Sequence, residues 1–258
     1  MSEDEFKPTV REIFRQLGLQ AHDLDRRDNQ LTPDFEVSGK KDKYTVELKT
    51  KDDDPKEVAE EIEALSRGGV VGKSVPIGPR NRLAGLIRFG VQQMLAHDPS
   101  GESFRVIWLH SVGEDPEFHF NRFRATLFGE EKLFSLKHAN VITCFYFHDS
   151  AFHSWRNHLD GAMLTYLNTA QLCVNTLSPR VERFRNSELV QSMSKGLCDP
   201  DRLNGLGNDV MVTDCPIDRK QTRETLAYLR QKYGLEHLQD IPMQKHTGKI
   251  LMKQGEVA

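Results

Sequence analysis

The sequence predicts a single α/β domain. Three observations carry this: an amphipathic helix pattern over residues 3–17, an alternating hairpin pattern over 33–50, and further helix and strand patterns with no internal repeat, low-complexity block or clear linker between them. The 258 residues suit one large domain. It is expected to cover 1–258, with a core over about 5–110, a remainder that completes the sheet and adds insertions, and a surface tail over about 242–258.

Composition removes several classes. The longest mostly apolar run, residues 141–147, is far shorter than the roughly 20 residues that cross a bilayer, so no membrane span or membrane partner is expected. The start, Met1-Ser2-Glu3-Asp4-Glu5, is acidic where a targeting peptide is basic and then apolar, which makes the cytoplasm the expected location. A net charge of -3 means that any nucleic-acid contact must use a local basic patch. Cys144, Cys173, Cys198 and Cys215 are too far apart for a zinc ribbon or a redox pair and read as free thiols.

In chain order, Phe6, Val10, Ile13, Phe14 and Leu17 form one stripe at 100° per residue, and Gly18 follows where a helix-ending glycine belongs. Extended runs at 33–38 and 43–50 flank the polar 39–42 turn, and Tyr44, Val46 and Leu48 alternate with Thr45, Glu47 and Lys49. Asp54, Pro55 and Glu57 signal the start of a helix reaching about residue 66. A glycine-rich loop over 68–79 then leads to a helix over 80–96 and a strand over 104–110. Residues 117–136 read as helical or irregular, 141–147 as a buried strand, 161–175 as one strand or a bent pair, and 209–213 as a short strand. Asp218 is placed as the cap of a last helix through residue 232.

The hairpin carries the chemistry. With its turn between Lys40 and Lys41, facing residue numbers sum to 81, so Phe35 meets Val46, Val37 meets Tyr44, and Asp34 lies opposite Glu47. A one-residue slip would send Phe35 and Val37 to the polar face, so packing fixes this register. Cross-strand Cβ atoms lie about 4.5–5.5 Å apart, close enough for two carboxylates to share one hard divalent cation, with the Leu48 carbonyl as a further oxygen ligand. Lys49 projects from the same face as Glu47, where it can orient a water or neutralise charge on a phosphoryl oxygen.

Pro33-Asp34, twelve residues, then Glu47-Leu48-Lys49 resembles the signature of the PD-(D/E)xK nuclease superfamily, and the helices before and after the hairpin fit as well. The resemblance covers about residues 5–70 and implies a restriction-endonuclease-like core: a central mixed β-sheet flanked by helices, elaborated here by insertions. It implies hydrolysis of DNA phosphodiester bonds with Mg2+ or Mn2+, with Asp34, Glu47 and Lys49 catalytic and Asp34, Glu47 and Leu48 at the metal. A homodimer is compatible with it. Many members carry another acid on the first helix; Glu12 is the nearest candidate, but it lies roughly 140° to 160° around the helix from Val10, Phe14 and Leu17 and is set aside. The alternatives are a catalytically inactive module of the same fold that binds nucleic acid or protein, and a structural partner whose acids only solvate a sheet edge.

Other signals are weaker. The stretch 68–74 has Arg67 where a phosphate-binding loop needs its first glycine, and it follows a helix instead of a strand. No Gly-x-Ser-x-Gly or His-Glu-x-x-His occurs. Two arginine groups, around Arg80 and Arg82 and around Arg180 and Arg183, are the candidates for contact with DNA phosphates along one path to the hairpin.

Overall fold

The computed structural model describes residues 2–25, 31–193, 195–204 and 209–251. The first part of the chain forms α1 (Glu3–Gln16), β1 (Gln20–Asp23), β2 (Phe35–Ser38), β3 (Lys43–Lys51), α2 (Pro55–Ser66), β4 (Val70–Pro76), α3 (Asn81–His97) and β5 (Phe104–Ser111). It continues as α4 (Pro116–Phe128), β6 (Glu131–Ser135), β7 (Asn140–Phe145), α5 (Ala151–Ser154), β8 (Gly161–Tyr166), β9 (Thr169–Val174), α6 (Val181–Arg185) and α7 (Glu188–Ser192). The last elements are β10 (Leu197–Cys198), α8 (Pro200–Asn204), β11 (Val210–Val212), α9 (Thr222–Tyr233), β12 (Leu238–Asp240) and β13 (Gln244–Ile250). No helix among the described residues is long and apolar enough to cross a membrane.

Seven strands make a central mixed sheet in the order β1-β2-β3-β5-β8-β9-β10. The middle strands β3, β5 and β8 run parallel, while β1-β2-β3 and β8-β9 are antiparallel. All eight residues of β5 are buried, as a central parallel strand covered on both faces requires. Val106 and Trp108 pack on one face with Phe6, Val10 and Phe14 of α1. Ile107 and Leu109 pack on the other with Ile87, Val91 and Met94 of α3 and Phe123 and Leu127 of α4. Each such side chain contributes about 1.5–3 kcal/mol relative to exposure, so the α1 stripe alone is a firm anchor. A reciprocal cap between Ser2 and Glu5 fixes the start of α1.

A second sheet, β11-β7-β6-β12, packs its apolar face on Leu226 and Leu229 of α9. Here the structure corrects the sequence reading. The segment 117–136 divides into α4 and β6, with Gly129 in the left-handed conformation ending the helix, and the 141–147 strand belongs to this second sheet. The helix assigned to an Asp218 cap begins instead at Thr222 behind Gln221, and Asp218 accepts from the Lys220 N–H in the preceding turn. The 68–79 loop and the surface tail contain β4 and β13, paired as a two-stranded antiparallel ribbon from Val70↔Ile250 to Pro76↔Gln244. β13 is polar, β4 interrupts its valines with Gly72, Lys73 and Ser74, and both are exposed or half-exposed throughout, so neither announces itself without a partner from the far end of the chain.

Candidate active site

The hairpin register is the expected one: Phe35↔Val46, Glu36↔Thr45, Val37↔Tyr44 and Ser38↔Lys43. Its turn is held from a distance, because the N–H groups of Lys40, Lys41 and Asp42 donate to the Glu188 carboxylate at the start of α7, at 3.0, 3.0 and 3.2 Å. Gly39 permits that approach, since a Cβ there would fall 2.0 Å from a Glu188 oxygen. The β2 ladder begins at Phe35, so past Val46 the β3 backbone loses its neighbour on that side. The side chain of Asp34 takes the vacated place, its Oδ2 accepting the Leu48 N–H at 3.0 Å, while Glu47 Oε2 accepts the Asp34 N–H at 3.1 Å. An orphaned strand N–H thereby orients the first acid.

Two residues of α1 complete the cluster. Lys7 Nζ stands 2.8 Å from Asp34 Oδ1, and Lys49, hydrogen-bonded to Glu47 Oε1, lies 3.8 Å from Glu3 Oε2. On the other face α3 lies directly on Glu47. Gly90 makes this contact possible, because a Cβ there would stand 3.1 Å from Glu47 Cγ and 2.9 Å from Ile107 Cδ1. Phe89 lies under the Lys49 ammonium, 5.6 Å from ring centre to nitrogen. Nearby, Gln93 donates to the Thr32 carbonyl at 3.0 Å, and its buried Oε1 has no partner among the described residues.

Burial first, and the Asp34 charge second, push Glu47 up to about 8. Burial also opposes ionisation of Asp34, but the Lys7 ammonium and the Leu48 N–H outweigh it and hold that carboxyl below its usual range. One acid of the pair is thus firmly ionised and the other is poised near neutrality, the asymmetry expected of like charges sharing a site. Among the described residues no group of three His, Cys, Asp or Glu side chains forms a metal cage. Two adjacent hard-oxygen donors suit Mg2+ or Mn2+ all the same, since Mg2+ characteristically takes one or two protein carboxylates and fills its shell with water and substrate oxygen. A cation between them would relieve the repulsion from Asp34 that helps to push Glu47 up.

Of the other expected site residues, Leu48 is tied to the pair through its N–H. Arg80 and Arg82 stand at the start of α3, in the wall of a cleft at the carboxyl end of β3. Arg180 and Arg183 do not share that path. Arg180 is committed to Asp160 and to the carbonyls of Gly101 and Ser103 (2.6 and 3.0 Å), and both guanidinium groups lie over Phe104 at the amino end of β5. The seven residue-to-residue steps from Phe104 to Ser111 put the two arginine groups at opposite ends of the sheet, about 23 Å of strand apart. Glu12 is turned to solvent and paired with Arg15 and Gln16, in line with its omission.

Sequence reasoning missed Lys7, Glu3 and Glu188. The first two had a signal: at 100° per residue Lys7 falls about 20° from Phe14, and Glu3 about 20° from Val10, so both charges sit on the buried stripe of α1. Glu188 had none, being 148 residues from Lys40. Comparison with protein-family models, with curated proteins and with solved structures finds no match to this chain.

Proposed function

We propose that this chain is a metal-dependent nuclease that hydrolyses DNA phosphodiester bonds at Asp34, Glu47 and Lys49, on a restriction-endonuclease-like core. The observation that supports it most is the pairing of Asp34 with Glu47 across the hairpin, where burial and the Asp34 charge oppose ionisation of Glu47, with Lys49 on the same strand face as Glu47. When bound, Mg2+ or Mn2+ would supply Lewis-acid polarisation of the scissile phosphate and a nucleophilic water at neutral pH. Asp34 and Glu47 would hold that cation. Lys49 donates to the phosphoryl oxygen on which charge develops, or orients the water, from a position fixed by Glu47 and Phe89. Lys7 balances Asp34 when no cation is present.

A second reading is favoured by one observation: Asp34 and Glu47 are only 2% and 0% exposed, with an ammonium on each. Such a closed pair suits a catalytically inactive module of the same fold. The two readings separate in one assay, in which supercoiled, linear and single-stranded DNA are incubated with Mn2+ or with EDTA. Cleavage that requires the metal and vanishes in Asp34→Asn supports the nuclease. Absence of cleavage on all three substrates, with no metal-dependent thermal shift, overturns it in favour of the inactive module.

A further inference from the structure

A cavity of about 360 Å³ opens beyond the carboxyl ends of the parallel strands β3 and β5, between the first turns of α2, α3 and α4 and the β4–β13 ribbon. That is where open α/β sheets place their ligands. We propose that this cleft is a phosphate-binding site, in which Lys51, Arg80 and Arg122 receive a phosphate group at the unblocked start of α3. The proposal does not rest on the nuclease reading, because it needs neither the acid pair nor a metal.

The charges in the wall sort into two sets. On the ribbon side, Lys73 is paired with Glu57, Lys249 with Glu61 and Glu114, and Lys245 with Asp115. The remaining acids are also engaged: Asp53 accepts from His119 Nε2 at 2.9 Å and from the Glu114 N–H at 2.7 Å, and Asp54 caps α2 at the Lys56 N–H. Among the described residues the inner set is cationic and has no such partners: Lys51 Nζ donates only to the Asp52 carbonyl, and neither Arg80 nor Arg122 forms an ion pair. Arg122 lies on the Phe118 ring at 5.1 Å, and among the described residues its buried Nε has no partner. His119, 6% exposed and in the same wall, likewise has no partner for Nδ1 among them.

The energetics point the same way. Burial, then the Arg80 charge, push Arg122 down to about 10; burial, then Arg82 and Arg122, lower Lys51. These cations repel one another across space that an anion would neutralise. The helix ends differ as well. Asp54 and Asp115 cap α2 and α4, whereas Arg80 gives α3 no side-chain cap and its first turn carries no acid, so the partial positive charge of a 17-residue helix faces the cleft, with Asp54 beside it 3.6 Å from Arg82. Lys51 is the next same-face residue after Lys49 on β3, about 7 Å further along. A phosphate held here therefore stands within one nucleotide's reach of the hairpin.

Two sources share this chemistry, a free nucleotide and the backbone of a nucleic acid, and calorimetric titration in EDTA separates them. The full-length protein is titrated with pyrophosphate, with a mononucleotide and with a short DNA duplex. Pyrophosphate is expected to bind saturably; Arg122→Gln and Lys51→Gln should each weaken it about tenfold, and Asp34→Asn should leave it unchanged. Competition by the duplex supports a nucleic-acid phosphate, and competition by the mononucleotide alone supports a free nucleotide. Arg122→Gln is checked by circular dichroism, and Lys51→Gln stands in for it if it fails to fold. Absence of saturable pyrophosphate binding, or full affinity in the folded variants, overturns the site. Since no cleavage is measured and no metal is present, failure here is distinct from failure of the nuclease reading.

Discussion

Two buried glutamates, in different regions, answer the same electrostatic problem in opposite ways. Glu130, at the junction of α4 and the second sheet, is 6% exposed and meets Arg124 through both oxygens, at 2.9 and 3.1 Å, and Lys132 at 2.9 Å. Burial opposes its ionisation, but Arg124 and Lys132 outweigh that and hold it below the usual carboxylate range. Glu47, 0% exposed, has one lysine and faces a second acid, and it is pushed up to about 8. A buried charge with surplus counterions ties a fold together; one left short of them is a place where a ligand has charge to neutralise. That contrast, more than the motif alone, separates a structural carboxylate from a candidate site.

Removing each acid in turn should have opposite consequences. Glu130→Ala leaves Arg124 and Lys132 without their partner and should cost about 3–5 kcal/mol in urea unfolding. Glu47→Gln, measured in metal-free buffer, should cost nothing or stabilise, because it ends the repulsion with Asp34. Equal losses in the two variants would mean that both acids are structural.

Lys49→Arg sharpens the functional side. Arginine keeps the charge but replaces a compact ammonium with a planar fork, so unfolding should be little changed while metal-dependent cleavage falls about 100-fold, roughly 2.7 kcal/mol in activation free energy. Wild-type turnover in this variant would assign Lys49 to balancing Glu47 alone.

The third comparison is in pH, with two groups of opposite sign. Burial pushes His110, stacked on Phe6, from 6.5 down to about 4, so the unfolded chain binds a proton that the folded one refuses. That contribution is full above 6.5 and lost as pH falls to about 4, on the order of 3 kcal/mol. Glu47 runs the other way in EDTA: with its folded value raised from 4.5 to about 8, its contribution is full below 4.5 and lost as pH rises to about 8. Unfolding curves across this range should lose the acid-side decline in His110→Gln and the alkaline-side decline in Glu47→Gln. Identical pH profiles in wild type and both variants would rule out these assignments.

The smallest effect is expected at Arg183, exposed and, among the described residues, held only by the Phe104 face. Arg183→Ala should cost about 0.5–1 kcal/mol and leave duplex affinity and its salt dependence unchanged. A flattened salt slope would restore the amino end of the sheet as part of a DNA path.

The sequence by itself determined α1, the hairpin and its register, α2, α3 and β5, because each is specified by periodicity or pairing within a few tens of residues: a slip at Phe35 or a rotation at Phe14 exposes apolar surface at once. It also brought Asp34, Glu47 and Lys49 together, since a hairpin places cross-strand neighbours by arithmetic. Only the tertiary structure decided which charges surround them. Lys7 arrives because α1 packs on the sheet beside the gap where β2 ends, Glu188 grips the turn from 148 residues away, and β4 finds β13 across the length of the chain. The same long-range packing sent Arg180 to Asp160 and gathered Lys51, Arg80 and Arg122 around one cleft. Local sequence fixes which way a side chain points within its element. Which charges it then meets depends on how distant segments close on one another, and no periodicity encodes that.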